Sequence, residues 1–481
     1  MSCASLANST GSNIIYPRQR QHTTAESAPL SAYEKIMKIV IIGAGLGGLA
    51  AALRFAMLSH EVVVLEKHPA LSPRGGSLST RPGASRILVG WGLEADMDRI
   101  ANRTEGIIMR DLATGATTSV PAAAGIAKGH GSQQAPHWGT TRQELIQLFH
   151  DKAVEYGAVI RFGCAVSAVH DEAGGDGVWV MLMDGTHISA DLILAADGMR
   201  SRTRAAILAD QLGAGQMEPA VSAVTGYGFA LAAPKLQDPG IAGLLENVSS
   251  NVWMGGIDHA FAVSRYSEKG GFVAVLCHTI DDRNTEQDSL WDDKGDLEYV
   301  RHAFQGSCSA ITRALELADS CDRWRLAELP SLPRWTSLGG SVVLLGDSAH
   351  AMHPSAGQGF SQIVEDIEVL AQLVSRSPVS IGAGSSFTPC NVLSITKAWQ
   401  DIRKPRVEKI QEYSRWSTAQ IAQRVSGSSA SKYAPGQLEN TKAMDEEFRN
   451  ASFLPWTFDY DVEKEIDDYL SQKVHEHEQK S

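Results

Sequence analysis

The chain has 481 residues, which exceeds one ordinary hydrophobic core and allows two or three domains, or one large domain with insertions. Lysine and arginine number 43 against 55 aspartate and glutamate, and the net charge of −12 argues against nucleic acid or an anionic membrane surface as a partner. Six cysteines (Cys3, Cys164, Cys277, Cys308, Cys321 and Cys390) form no Cys-x-x-Cys pair, so they read as reduced thiols of a cytoplasmic protein and exclude a disulfide frame or a cysteine zinc site.

Residues 1–36 are rich in Ser, Thr, Ala, Asn and Gln and hold no apolar run long enough for a signal peptide. They read as a disordered extension, with a transit peptide left open by Arg18 and Arg20. Strand Ile39 to Ile42 then runs into Gly43-Ala44-Gly45-Leu46-Gly47-Gly48 and an Ala/Leu-rich helix, Leu46 to Leu58. A Gly-x-Gly-x-x-Gly run between strand and helix is the context of a dinucleotide fingerprint. Gly43 permits the tight turn, Gly45 lets backbone approach a pyrophosphate, and Gly48 lets helix pack on strand. A second strand, Val62 to Leu65, ends in Glu66, 18 positions after Gly48, where an acid would bond an adenosine ribose. That acid suits FAD or NAD better than NADP.

Further along, Pro82 to Leu88 reads as a short helix, and Thr114 to Gly131 as strands or loop. A helix capped by a threonine hydroxyl follows Thr140-Thr141, with Arg142 in its first turn. Trp179 to Met183, the Asp184-Gly185 turn and His187 to Ala196 read as a hairpin feeding a buried strand that ends at Asp197. Residues 211–330, with Phe261 to Tyr266 and Phe272 to His278, suggest an antiparallel sheet. Ser341 to Leu345 is a continuous apolar strand, Gly346-Asp347 follows, Gly359 to Val374 is helical, and a helix over Lys397 to Arg415 precedes a linker at Ser426 to Ser429. No window reaches the ~18 uncharged apolar residues of a spanning helix, so no integral membrane segment is expected. His350 and His353 stand three apart without a clear third ligand, so no metal is expected there.

Three segments in fixed order, Val40 to Gly48, Leu194-Ala195-Ala196-Asp197-Gly198-Met199-Arg200-Ser201, and Leu345-Gly346-Asp347-Ser348-Ala349-His350 to Gly359, carry a resemblance over about Lys38 to Arg415. The chain resembles the group A FAD-dependent monooxygenases, the aromatic hydroxylase family, and within them the salicylate hydroxylase-like branch of fungal secondary metabolism. The resemblance implies an α/β fold with a Rossmann-like FAD-binding domain of the GR2 type, an inserted antiparallel-sheet substrate domain and C-terminal helices. The corresponding boundaries are 37–210 and 331–380 for FAD, 211–330 for substrate and 381–481 for the helical region. It implies FAD as cofactor, NADPH or NADH as reductant, O2 as co-substrate and a small molecule as acceptor; an epoxidase or oxidative cyclase on the same fold, or a flavin-binding protein without oxygenase turnover, are the alternatives.

Carried onto matching positions, the resemblance implies that Glu66 holds the adenosine ribose, that Arg142 lies along the FAD, and that Asp347 binds its ribityl or pyrophosphate portion. Gly357 and Gly359 present backbone to the flavin, Gly75 and Gly76 border it, and Asp197 belongs to a motif tied to both FAD and the nicotinamide. The chain departs from the branch where a phenolic substrate is usually anchored. In Gly226-Tyr227-Gly228-Phe229-Ala230 the expected arginine is Ala230, and the expected partner tyrosine is Val263. Tyr227, His259, Arg265 and Tyr266 are the candidate substitutes.

Overall fold

The structure, a computed structural model, describes residues 36–478 except 73–75, 105–106, 120–134, 172–176, 214–216, 256, 258–259, 281–289, 293, 377–388, 427–440 and 451. Gly75, His259 and the expected linker after Ser426 therefore lie outside the described residues, as does nearly all of the N-terminal extension.

The first half alternates strand and helix. β1 (Lys38–Ile42) leads into α1 (Leu46–Met57), and β2 (Glu61–Leu65) and β3 (Ser77–Ser79) precede α2 (Pro82–Gly90) and α3 (Glu94–Ile100). Then come β4 (Asn102–Arg103), β5 (Ile107–Asp111), β6 (Thr117–Ser119), β7 (Trp138–Thr141), α4 (Arg142–Glu155), β8 (Val159–Arg161), β9 (Val166–His170), β10 (Val178–Leu182), β11 (His187–Ala190) and β12 (Leu192–Ala195). After α5 (Arg202–Leu208) the chain is mainly strand: β13 (Ala220–Ala232), short α6 (Ala242–Leu245), β14 (Ser250–Met254), β15 (Ala260–Ser267), β16 (Phe272–Ile280) and β17 (Trp291–Asp292). Helices α7 (Leu297–Ala303) and α8 (Ser309–Leu317) lead to β18 (Asp322–Glu328) and β19 (Val342–Leu344). A single turn α9 (Asp347–His350) is followed by α10 (Gly359–Arg376), α11 (Pro389–Ser426), α12 (Thr441–Phe448), α13 (Phe453–Phe458) and α14 (Val462–Glu478).

Five parallel strands in the order β19-β12-β1-β2-β8 make the central sheet. β1 is buried along four of its five residues, the pattern of a parallel strand covered on both faces. Helices α1, α4 and α10 share its main core, with Leu49, Leu53, Phe149, Val364 and Ile367 among the residues they bury. Helix α4 starts where Thr141 accepts from the Glu144 N–H at 3.1 Å and the Glu144 carboxylate accepts from the Thr141 N–H at 3.0 Å, a reciprocal capping box. The expected hairpin of β10 and β11 pairs antiparallel, but its second arm breaks before the parallel sheet. Asp191 causes the break: its carboxylate accepts from the Lys38 N–H at 2.7 Å and its own N–H donates to the Lys38 carbonyl at 2.8 Å, tying hairpin to β1 and leaving β12 to start afresh.

The second large sheet has eight strands in the order β17-β18-β13-β16-β15-β14-β5-β6. It draws β5 and β6 from residues 107–119, upstream of the 211–330 stretch, because β5 pairs parallel with β14. One face carries Tyr227, Leu231, Trp253, Val273, Val275 and Cys277 and is closed by α7 and α8. The other carries Val224, Phe261, Val263, Arg265, Leu276 and His278, and Arg265 reaches from it to the β3 backbone. The third layer is helical. Helix α10 buries Glu365, Asp366 and Glu368; α11 answers the first two with Arg403, bonded to both, and Arg406, bonded to Glu365, while Arg54 of α1 answers Glu368.

Candidate functional site

The carboxyl ends of four neighbouring parallel strands gather most of the residues that the sequence singles out. Ile42 pairs with Leu65 on one side and Ala195 on the other, and Ala195 pairs with Leu344. Gly43, Glu66, Asp197 and Asp347 follow these positions by one to three residues, so they emerge at one edge of the sheet about 4.8 Å apart per strand. The chain runs from β1 outward to β2 and β8, then returns to β12 and β19 on the other side of β1. That reversal between β1 and β12 is where open α/β sheets bind ligands.

Glycine geometry shows which parts of this edge are packed and which are open. Gly43 has φ +102° and donates its N–H to the Leu65 carbonyl at 2.8 Å, while a Cβ on Gly48 would lie 1.9 Å from the Gly43 carbonyl oxygen. These two hold strand and helix together. At Gly45, Gly76 and Gly359, by contrast, a Cβ would meet nothing within 4 Å. The N-cap of α1 is Gly45, without a side-chain cap and with no acid in the first turn, and α10 also begins at Gly359 without an acid. Both helix termini therefore keep N–H donors for an anionic or carbonyl-bearing ligand.

The polar groups around this space fit a dinucleotide. The Glu66 carboxylate accepts from the Ala44 N–H at 2.8 Å and the His68 N–H at 2.9 Å, which orients it over the glycine turn with lone pairs left for hydroxyl groups. Asp197 accepts from the Thr203 N–H at 3.1 Å through one oxygen, and its other oxygen is buried without a partner. Asp347 opens α9 with a carboxylate that makes no hydrogen bond among the described residues. Arg142 stands at the start of α4, its N–H bonded to the Gly76 carbonyl at 3.1 Å and its side chain exposed. Gly357, at φ +60°, turns the chain into α10 and takes a hydrogen bond on its carbonyl from Arg81 Nε at 3.1 Å.

The four candidates for handling substrate separate. Tyr227 is fully buried against the α7 and α8 layer with its ring 6.0 Å from that of Tyr299, and Tyr266 packs on the same side. Both thus point away from the strand-end site, because strand parity sends them to the helix-covered face. Arg265 takes the opposite face and is bonded to Ser79, Ser250 and the Leu78 carbonyl. Around it the sheet offers Val263, Leu276 and a parallel stack of Phe261 on His278, with ring centroids 4.2 Å apart. Burial holds His278 down to about 3, so the stack is neutral at physiological pH.

Other buried titratable residues pack nearby; Glu328 lies in no motif of the sequence, whereas His350 and His353 belong to the third segment. Glu328, at the end of β18, is buried and 3.3 Å from Arg415 Nε; burial pushes it up to about 7 against the pull of Arg415. His353 is buried with both ring nitrogens unpaired, and burial followed by Arg415 holds it down to about 4. His350 instead bonds Asp366 at 2.6 Å in the core. Arg81 and His137 lie in no motif either and are brought opposite each other by the pairing of Thr80 with Trp138.

The FAD binding domain family matches residues 37–254. The FAD-dependent monooxygenase OpS4 of Beauveria bassiana (strain ARSEF 2860) is 32% identical over 378 residues, covering 78% of this chain and 83% of that protein. A salicylate hydroxylase of Pseudomonas putida is 29% identical over 398 residues, covering 80% and 86%. Among solved structures, CtdE in complex with FAD and a substrate superposes with a TM-score of 0.72 at 20% identity over 91% of this chain and 98% of its own, and a salicylate hydroxylase substrate complex gives 0.69 at 20% over 90% and 98%. No helix among the described residues is long and apolar enough to cross a membrane. With an FAD binding domain match over residues 37–254 and a relative of this identity over this length, the chain belongs to the FAD-dependent monooxygenase family.

Proposed function

We propose that this enzyme uses NADPH or NADH and O2 to hydroxylate an aromatic or polyketide-like small molecule of secondary metabolism. The observation that carries the reading is the convergence of Gly43, Glu66, Asp197 and Asp347 at one sheet edge, beside an apolar sheet face that bears Phe261, Val263 and Leu276. In this reading Gly45 and the α1 terminus hold the pyrophosphate and Glu66 the adenosine ribose. Arg142 and Gly76 run along the cofactor, Asp347 takes its ribityl or pyrophosphate portion, and Asp197 belongs to the turn that serves both FAD and the nicotinamide. Gly357 and Gly359 set backbone dipoles and the α10 terminus toward the flavin ring, where negative charge is favoured.

When bound, FAD would supply the redox chemistry that couples the nicotinamide to O2, one oxygen atom going to the acceptor and the other to water. The chain orients the acceptor and keeps water out, and the sheet face suits both tasks. Its apolar side chains and the Phe261–His278 stack form a flat wall, which favours a planar ring as acceptor. The name of the Pseudomonas putida relative, salicylate hydroxylase, supports the same substrate class. The scattered cysteines support a cytoplasmic setting.

The test is NADPH and NADH oxidation by the purified protein, with peroxide release recorded, across a panel of aromatic and polyketide-like compounds. Substrate-stimulated oxidation with little peroxide is the expected outcome. A flavin that neither nicotinamide reduces, with or without ligand, would sink the reading.

A further inference from the structure

The small sheet β3-β7-β4 turns a polar face toward the eight-stranded sheet. Its register sets Ser79 opposite Gly139 and Asn102 opposite Gly139, and residues directly opposite across antiparallel strands share a face. The Thr80 N–H donates to the Trp138 carbonyl at 2.9 Å, so the pairing continues past β3 and brings Arg81 opposite His137, two positions along the same face. Arg265 of β15 lies against this face. A Cβ on Gly139 would sit 1.7 Å from Arg265 Nη1, so only glycine admits the guanidinium there.

The corner holds two cations and several buried donors: both guanidinium groups, the Asn102 amide N–H2 and the one N–H of neutral His137. Arg81 and Arg265 are 9% and 4% exposed, and among the described residues neither has a carboxylate within ion-pair distance. Arg81 spends only Nε, on the Gly357 carbonyl. Arg265 Nε, Asn102 Nδ2 and both ring nitrogens of His137 are buried without partners. Each guanidinium acts on His137, which burial and the two arginines hold down to about 3; Arg265 is pushed down to about 10 by burial and then by Arg81. Buried charge without a counter-charge, and buried donors without acceptors, are costly and persist mainly where a ligand completes them.

We propose that this corner seats the anionic oxygens of the substrate, a carboxylate or an ionised phenol or enol, between Arg81, His137, Asn102 and Arg265. The proposal rests on the reading of the Phe261–Arg265 face as the substrate wall, since Arg265 shares that face with Phe261 and Val263. It relocates the anchor that Ala230 and Val263 do not supply. Arg81 bridges the corner to Gly357, which places the anion beside the turn into α10. An isoalloxazine carbonyl is the other source of such an acceptor, and the test separates the two.

The FAD-loaded enzyme is titrated with two matched pairs, benzoate against benzamide and 2-naphthoate against 2-naphthamide, following saturable change in the visible flavin absorption. At least one acid is expected to bind about tenfold or more tightly than its amide. In Arg81→Gln that preference falls toward one with flavin content unchanged, and Arg81→Lys restores part of it. Asn102→Ala, which removes a donor and no charge, is expected to weaken acid binding by about fivefold and leave the amides unaffected. Acids that bind no better than amides, or a preference that survives both Arg81→Gln and Asn102→Ala, overturn the proposal. Loss of FAD from Arg81→Gln with acid preference intact in the reloaded protein also overturns it and assigns the corner to the cofactor. Failure here leaves nicotinamide-driven oxidation of uncharged acceptors standing, whereas failure of the monooxygenase reading appears as a flavin that no nicotinamide reduces.

Discussion

A Cβ on Gly43 would lie 2.5 Å from the carbonyl oxygen of Ala196, so the first turn of the fingerprint and the end of β12 are packed backbone to backbone. Gly43 also holds φ +102°, which L side chains rarely adopt. Gly43→Ala is therefore expected to cost about 2–4 kcal/mol from strain and overlap together and to yield protein without flavin. Gly45→Ala separates folding from binding. Nothing lies within 4 Å of a Cβ there, so stability should stay within about 0.5 kcal/mol while FAD affinity falls about tenfold or more. Urea unfolding of the apoproteins beside FAD titration checks both; equal flavin affinity in Gly45→Ala and the parent would refute the phosphate assignment.

Asp347 and Glu66 make a second contrast. The Asp347 carboxylate has no protein partner among the described residues, so Asp347→Ala should leave the apoprotein's melting temperature unchanged and abolish stable flavin retention through gel filtration. A fully yellow Asp347→Ala protein would remove this residue from the site. Glu66 instead orders the Ala44 and His68 N–H groups, and Glu66→Ala should weaken FAD by about 1–3 kcal/mol, the worth of a hydrogen bond to a charged group, with a small loss of stability besides.

What was legible in the sequence was local. Gly43 to Gly48, Glu66, Thr141 with Glu144, and Gly346-Asp347 each declare themselves within a few residues, through a turn, a strand end or a cap. The orientation of Tyr227 and Tyr266 was not legible, because β13 and β15 bury residues on both faces and only docking of α7 and α8 decides which face meets helices. Arg81, His137 and Asn102 lie in or one or two residues beyond strands of two to four residues, too short to show a period. Glu365 and Asp366 of α10 look like a solvated helix face until α11, more than thirty residues later, brings arginines to them.

Glu328 predicts a pH dependence of stability. Its folded value of about 7 lies above the ordinary glutamate value of about 4.3, so between those limits the folded state holds more protons than the unfolded state. Stability contributed by this group is thus full below pH ~4.3 and declines as pH rises toward 7. Glu328→Gln should remove that decline and be about 1–3 kcal/mol more stable than the parent at pH 8, less whatever the contact with Arg415 contributes. Urea midpoints at pH 5 and pH 8 check this, and a parent protein whose stability rises over the interval while the variant tracks it would contradict it.

Arg403 and Asp366 give the opposite sign. Burial alone would raise the Asp366 carboxyl, but His350 and Arg403 overcome it and hold the group below the usual carboxylate range. Arg403 Nε meets Asp366 at 2.8 Å and its Nη1 meets Glu365 at 2.9 Å, with none of the three side chains exposed. Asp366 therefore contributes stability that is present above its unfolded value of about 3.9 and is lost as pH falls through its lower folded value. Arg403→Met leaves Asp366 with His350 alone and Glu365 with Arg406 alone, which should cost about 3–5 kcal/mol near neutral pH. Asp366→Asn should cost less, since it removes a charge and keeps the shape, and its stability should fall less steeply in acid than the parent's. Urea unfolding of all three proteins from pH 7 down to pH 3 distinguishes these outcomes; an Arg403→Met protein as stable as the parent would mean that the buried carboxylates are satisfied without it.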